Sequence, residues 1–180
     1  MDPGPSIESH PAAVSAVGQE VVGVLLTHHH LDHSEAAREF ASAHGCGVRA
    51  LDPAYRLGSE GLGAGDVVTV GSLEVHVVAT PGHTADSLSF VVPSESAVLT
   101  GDTVLGRGTT VVAHPDGSLG AYLSSLDRLH ALCADPGHHV HLAGPRTGHL
   151  RRAGRVGLLH RPSPYPPRPG ARRRRDADPR

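Results

Sequence analysis

The stretch LTHHHLDHS, residues 26–34, places His28, His29, His30, Asp32 and His33 within six consecutive positions, directly after the apolar run Val21-Val22-Gly23-Val24-Leu25-Leu26. Imidazole and carboxylate bind divalent metals well, so the cluster is a candidate for one ion, two, or none. On an irregular loop, alternate residues can aim two imidazoles at one ion and leave the next carboxylate and imidazole for a second. His28 and His30 then serve the first metal, Asp32 and His33 the second, and His29 points away. The bland alternative is a His-rich loop, in a chain with 15 His, that takes up metal adventitiously.

Two later segments favour a built site. Thr80-Pro81-Gly82-His83-Thr84 ends the apolar run LEVHVVAT, so His83 falls on a tight turn at a strand end and supplies a third imidazole for the first ion. Leu99-Thr100-Gly101-Asp102-Thr103 ends another such run with a carboxylate, whose two oxygens can each bind one ion. A lone Gly-Asp is a weak signal. In order after the first motif it becomes a strong one.

The elements that must position these residues alternate between strand-like and helical patterns, which predicts an α/β domain. Residues 6–17 read as a short helix with Pro11 in its first turn and Gly18 as the stop. Residues 21–26 read as a buried strand and 34–44 as a helix ending at Gly45, so the histidine stretch is a loop between them. Further strands are expected over 47–51, 67–70, 73–79, 87–92, 97–100 and 139–143. A helix over 118–133 has Leu119, Tyr122, Leu123, Leu126, Leu129 and Leu132 at spacings of three and four, predicting one buried stripe.

A chain of 180 residues with 38% hydrophobic content reads as one soluble domain with a sizeable core. Cys46 and Cys133 suggest neither a disulfide framework nor a thiolate metal site, which points to a reducing compartment. No apolar run reaches the ~20 residues of a membrane helix, and MDPGPSIESH lacks the pattern of a signal peptide, so the expected location is cytoplasmic, without a membrane partner. The net charge of -2 hides a split: residues 1–144 hold 5 Arg and 16 Asp or Glu, net -11, whereas 145–180 hold 11 Arg and 2 Asp, net +9. The second segment also carries 7 of the 15 prolines, shows no apolar periodicity and reads as a disordered Arg/Pro-rich tail. Such a tail can bind nucleic acid through phosphate charge or simply be solvated.

The ordered motifs TxHxHxDH, PGHT and TGD, over residues 2–144, resemble the metallo-β-lactamase superfamily. Within it, GDTVLGRGTTVV followed by AYLSSLDRL is similar to the β-lactamase-like protein 2 branch, which cleaves single-stranded RNA. The resemblance implies an αββα sandwich with zinc, two ions in an intact member, at the edge between its sheets. It implies His28, His30 and His83 as ligands of the first ion, Asp32 and His33 of the second, and Asp102 as the bridge. It further implies a hydrolase in which the metals activate a water and Asp32 orients it, acting on single-stranded RNA or a small-molecule ester or thioester. Asp102, where many antibiotic-degrading members have cysteine, argues against β-lactam hydrolysis. Asp2 matches a strand-end aspartate that supports the ligands from behind. His44, His76 and His130 match no family position. Oligomeric state is not encoded in these motifs.

The chain departs from that pattern at both ends. Members have strands before the Asp-Pro-Gly motif, so the sandwich is expected to be incomplete at the N-terminus, with exposed sheet edges. Members also end the metal set with Gly-His-Gly-Pro, where this chain has Ala143-Gly144-Pro145-Arg146. His149 lies five residues late. One ion is then the reduced expectation, and a non-catalytic metal-binding fragment or pseudoenzyme is the alternative to a hydrolase. The segment 145–180 also reads as an out-of-frame end. The chain has no Lys, no Asn and one Ile, as GC-rich DNA dictates. Pro145-Arg146-Thr147-Gly148 written CCA CGG ACC GGC becomes His-Gly-Pro when read one base later. Residues 155–164 can likewise become Glu-Trp-Ala-Tyr-Tyr-Ile-Ala-His-Arg, similar to a helix of the resembling branch. Resequencing the gene tests this: the bases after the Gly144 codon are expected to read His-Gly-Pro in another frame, and any other reading removes the idea.

Overall fold

The fold grows from two sheets whose apolar faces meet. The computed structural model describes residues 1–7, 9–16, 20–106 and 108–134, and the backbone of 142–143. The elements are α1 (Ser9–Ser15), β1 (Val24–Leu25), α2 (Leu31–Ser34), α3 (Ala37–Ala43), β2 (Val48–Arg49), β3 (Val67–Val70), β4 (Leu73–Ala79), β5 (Leu88–Val92), β6 (Ala97–Leu99), α4 (Leu119–Ala134) and β7 (Leu142–Ala143). β1 and β2 pair in parallel. β3 to β7 form a second sheet in sequence order, antiparallel except for the parallel β6–β7 pair.

Side-chain alternation assigns the layers. β5, Leu-Ser-Phe-Val-Val, is buried throughout, as a strand covered on both faces must be. Leu88, Phe90 and Val92 join Val68, Val75 and Val77 on one face, against which Leu25 of β1 and Leu51, just after β2, pack. Val91 and Val98 turn to the other face and meet Leu129 of α4. The far side of the first sheet is closed by Ala37, Phe40 and Ala41 of α3 against Val24, Leu26 and Val48. The order is helix, sheet, sheet, helix: the expected αββα sandwich, with two paired strands in its first sheet among the described residues.

Strands 67–70 and 73–79 fall where the alternation puts them. The first helix is shorter than expected, and Gly18 lies outside the described residues, as do 139–141 and the whole of 145–180 with His149. Two expectations need correction. The expected helix over 34–44 is preceded by a turn of α2, so Asp32 and His33 stand on helical backbone and not on an irregular loop. The Ser34 hydroxyl, which donates to the carbonyls of His29 and His30, holds that turn. The second correction concerns α4. Leu119 and Leu123 are 63% and 53% exposed, while Leu129 is 4% and Ser125 is 1% exposed. The packed line runs through Ser125, whose hydroxyl donates to the Pro81 carbonyl at 2.7 Å, because α4 rests on the turn carrying His83. Gly82 permits that approach: its φ is +140°, and a Cβ there would lie 2.3 Å from the Tyr122 Cα.

Leu129→Ala is therefore expected to lower stability by about 2–4 kcal/mol, and Leu123→Ala by less than about 0.5 kcal/mol. Urea unfolding of both variants checks this, and equal losses would restore the stripe read from spacing alone.

Candidate metal centre

The centre forms where β1, β4 and β6 end. Leu26 closes the β1 ladder by donating its N–H to the Arg49 carbonyl, and the chain then turns through Thr27 to Ser34. The turn after β4 brings in His83, and the turn after β6 brings in Asp102. Gly101 makes the second approach possible: its φ is +51°, and a Cβ would sit 2.6 Å from the Thr27 hydroxyl.

Three imidazoles converge. His30 Nδ1 lies 3.2 Å from His28 Nε2 and 3.0 Å from His83 Nε2. Hydrogen bonding on the far side fixes two of these rings. His83 Nδ1–H donates to the Val111 carbonyl at 2.6 Å, which leaves Nε2 a bare acceptor. The Thr27 hydroxyl donates to Asp2 Oδ2 at 2.8 Å, so it can only accept from His28 Nδ1–H at 3.0 Å, and His28 Nε2 is bare as well. Burial, with His33, His83 and His30 close by, pushes His28 down to about 2, and burial with His83 and His29 nearby lowers His30. Neutral imidazole is the form that binds metal. At most one proton, on His30, can sit among three acceptors, so the group fits a divalent cation.

A second group adjoins it. His28, His33 and Asp102 also offer ligand atoms within 4.8 Å of one another. His33 Nδ1 faces Asp2 Oδ2 at 3.2 Å, and its Nε2 lies 3.3 Å from Asp102 Oδ1. The latter is an ion-pair approach without hydrogen-bond geometry, and both buried atoms lack a hydrogen-bond partner. Burial opposes charging His33, yet the Asp102 and Asp2 carboxylates outweigh it and raise the ring to about 10. His33 in turn holds Asp102 below the usual carboxylate range. A proton or a metal ion at His33 Nε2 can satisfy the same carboxylate. Asp102 Oδ2 lies 3.8 Å from His83 Nε2, so its two oxygens face the two groups as a bridge requires. Asp32 Oδ2 reaches within 3.9 Å of His33 Nε2, from a side chain that is 68% exposed.

Of the six residues singled out by sequence, His28, His30, His33, His83 and Asp102 converge, while Asp32 stands at the rim; His29 pairs with Asp86 Oδ1 at 2.9 Å. His44 bonds the Phe40 carbonyl and His76 pairs with Glu74. Sequence reading passed over Thr27, Val111, Asp86 and Asp116. The threonine stood inside the quoted motif and was the one with a usable signal; a backbone carbonyl such as that of Val111 carries none.

The Metallo-beta-lactamase superfamily pattern matches residues 2–136. The chain belongs to this superfamily. Hydroxyacylglutathione hydrolase of Bradyrhizobium sp. strain BTAi1 is 37% identical over 125 residues, covering 68% of the chain and 48% of that relative. The chain spans about half the length of the curated relatives it matches, 48% in each of two hydroxyacylglutathione hydrolases. ETHE1 from Myxococcus xanthus superposes with a TM-score of 0.65 at 27% identity, over 83% of this chain and 65% of that one. TTHA1623, solved in a di-iron-bound form, superposes at 0.64 with 23% identity, over 79% and 78%. Those hydroxyacylglutathione hydrolase relatives support the superfamily without singling out its RNA-cleaving branch.

The Thr27 hydroxyl ties His28 to Asp2. Thr27→Val is expected to weaken metal binding about 10- to 100-fold, with Thr27→Ser restoring most of it. Competition against a chromophoric chelator reads this, and unchanged affinity in Thr27→Val would remove the threonine from the site.

Proposed function

We propose that this chain hydrolyses a thioester bond in a small-molecule substrate, using zinc ions held by His28, His30 and His83 and by Asp32, His33 and Asp102. The observation that carries the reading is the convergence of three imidazole nitrogens beside an unpartnered His33 Nε2 and Asp102 Oδ1. Three imidazoles with an open position suit catalytic zinc. Bound ions would lower the pKa of a water and polarise the substrate carbonyl. The oxygen of water bonds to the acyl carbon, the carbon–sulfur bond breaks, and a carboxylic acid and a thiol leave, with the water's proton passing to the departing sulfur.

The chain's own residues prepare that step. Asp2 and Val111 fix ring orientation, so His28 and His83 need no reorganisation on binding. Asp32, mostly exposed at the rim, holds and moves a proton of the water. Asp102 keeps the two groups at one distance. The curated relatives supply the bond type, since two are named hydroxyacylglutathione hydrolase. RNA cleavage, implied by likeness to the β-lactamase-like protein 2 branch, has no such support here, and the proposal does not extend to it.

Metal analysis and thioester turnover on the purified chain test the reading together. His83→Ala is expected to lose metal relative to the parent. Asp32→Ala is expected to keep the ion at His28, His30 and His83 and to lose turnover by about 100-fold or more. Metal binding without turnover on any thioester would favour the non-catalytic alternative, and unchanged metal content in His83→Ala would refute the ligand set.

A further inference from the structure

Against the first histidine group lies a cavity of about 230 Å³ whose lining includes His29, His30, His83, Val111, His114 and Asp116. His30 and His83 present their other sides to the metal centre, so the cavity is contiguous with it. Its polar chemistry is set by two carboxylates on either side of His29. Asp86 Oδ1 lies 2.9 Å from His29 Nδ1, and His29 Nε2 faces the other way. That nitrogen lies 3.9 Å from Asp116 Oδ2, too far for a hydrogen bond. The other oxygen, Asp116 Oδ1, is fixed by the Ala85 N–H at 3.0 Å. Asp116 Oδ2 is thereby left facing the cavity beside His29.

Among the described residues no arginine fills the gap beside Asp116. Arg38, Arg49, Arg56 and Arg128 all donate to backbone carbonyls, and none lines this cavity. Resting on the thioester reading, we propose that Asp116, with His29, selects substrates that carry an ammonium group on the arm entering this cavity. An N–H of such a group meets Asp116 Oδ2, whereas an anionic arm meets a carboxylate. Because Asp116 is 39% exposed at its side chain, the preference is modest: the strength of a partly solvated ion pair corresponds to about three- to fivefold.

A charge series on one acyl frame tests this with the full chain: β-alanyl, butyryl and succinyl thioesters of N-acetylcysteamine. The butyryl ester of N,N-dimethylcysteamine places the cation on the thiol arm instead. At least one cationic ester is expected to exceed the neutral one in kcat/KM by about three- to fivefold, with the succinyl ester lowest. Asp116→Asn keeps an oxygen for the Ala85 N–H and is expected to erase the gain, with an unchanged melting temperature. Neither cationic ester exceeding the neutral one, or a gain that survives in Asp116→Asn, overturns the proposal. If no ester turns over, the thioester reading fails on its own, and the cavity is judged by titrating β-alaninamide against butyramide. Following the His29 ring resonances, the amine is expected to bind more tightly and to lose that advantage in Asp116→Asn; equal binding overturns the proposal. His29, His30 and Asp116 could also gather a metal cation. Additional zinc bound in the parent and lost in His29→Ala, with no ammonium preference, decides for that source and against the ammonium.

Discussion

Asp2 is the side chain on which the metal centre turns, because its carboxylate is shared between both halves. One oxygen accepts the Thr27 N–H and the other accepts both the Thr27 hydroxyl and His33 Nδ1. Through the hydroxyl it sets the tautomer of His28, and directly it fixes the orientation of the His33 ring. Each ring is thereby forced to present Nε2 forward. An aspartate that only capped a turn would leave these rings free to flip. Asp2 has φ of 41°, and its N–H donates to the Leu25 carbonyl, so the chain bends sharply to bring this carboxylate behind the histidines.

The sandwich makes that geometry hold. Leu88 donates its N–H to the Thr27 carbonyl at 2.8 Å, stitching the end of the first sheet to the central strand of the second. Since β5 is buried on both faces, the Thr27 backbone is anchored to one of the most rigid parts of the fold. His83 and Asp102 arrive from strands flanking β5, and the Thr103 hydroxyl reaches back to Thr80 at 3.3 Å. The ligand turns are tied to one another before any ion enters. Preorganisation of this kind removes the ordering cost from metal binding.

Much of this was legible because ligand type and strand-end position are sequence properties. The order of TxHxHxDH, PGHT and TGD predicted that residues 53 positions apart, His30 and His83, would meet, and they lie 3.0 Å apart. Alternation placed β3 and β4 because each has one face in the core. The failures have a common source. Leu119 and Leu123 obey a helical stripe, but spacing alone does not say which neighbour the stripe meets, and α4 lies on a turn that takes a serine and not leucines. The early start of α2 depends on Ser34 bonding backward to two carbonyls, a contact with no periodic signature. Asp86 and Asp116 sit 30 positions apart around His29, and only the closed fold shows them as a pair.

The histidine cluster also sets a cost for the fold when it holds no cation. Two bare nitrogens point at a third that can carry only one proton, and a buried His33 Nε2 and Asp102 Oδ1 go without hydrogen bonds. Each unsatisfied buried group of this kind costs roughly 1–3 kcal/mol. A domain whose net stability is only about 5–15 kcal/mol carries such losses only where something offsets them. Here the raised His33 proton offsets part, since its positive charge sits between Asp2 and Asp102. That proton contributes most below the ordinary histidine pKa and is lost as pH climbs toward about 10, whereas neutral His28 and His30 gain nothing from it. A divalent ion held there would relieve both groups at once, replacing the proton and meeting the bare nitrogens. Metal affinity and folding stability would then be coupled through the same atoms.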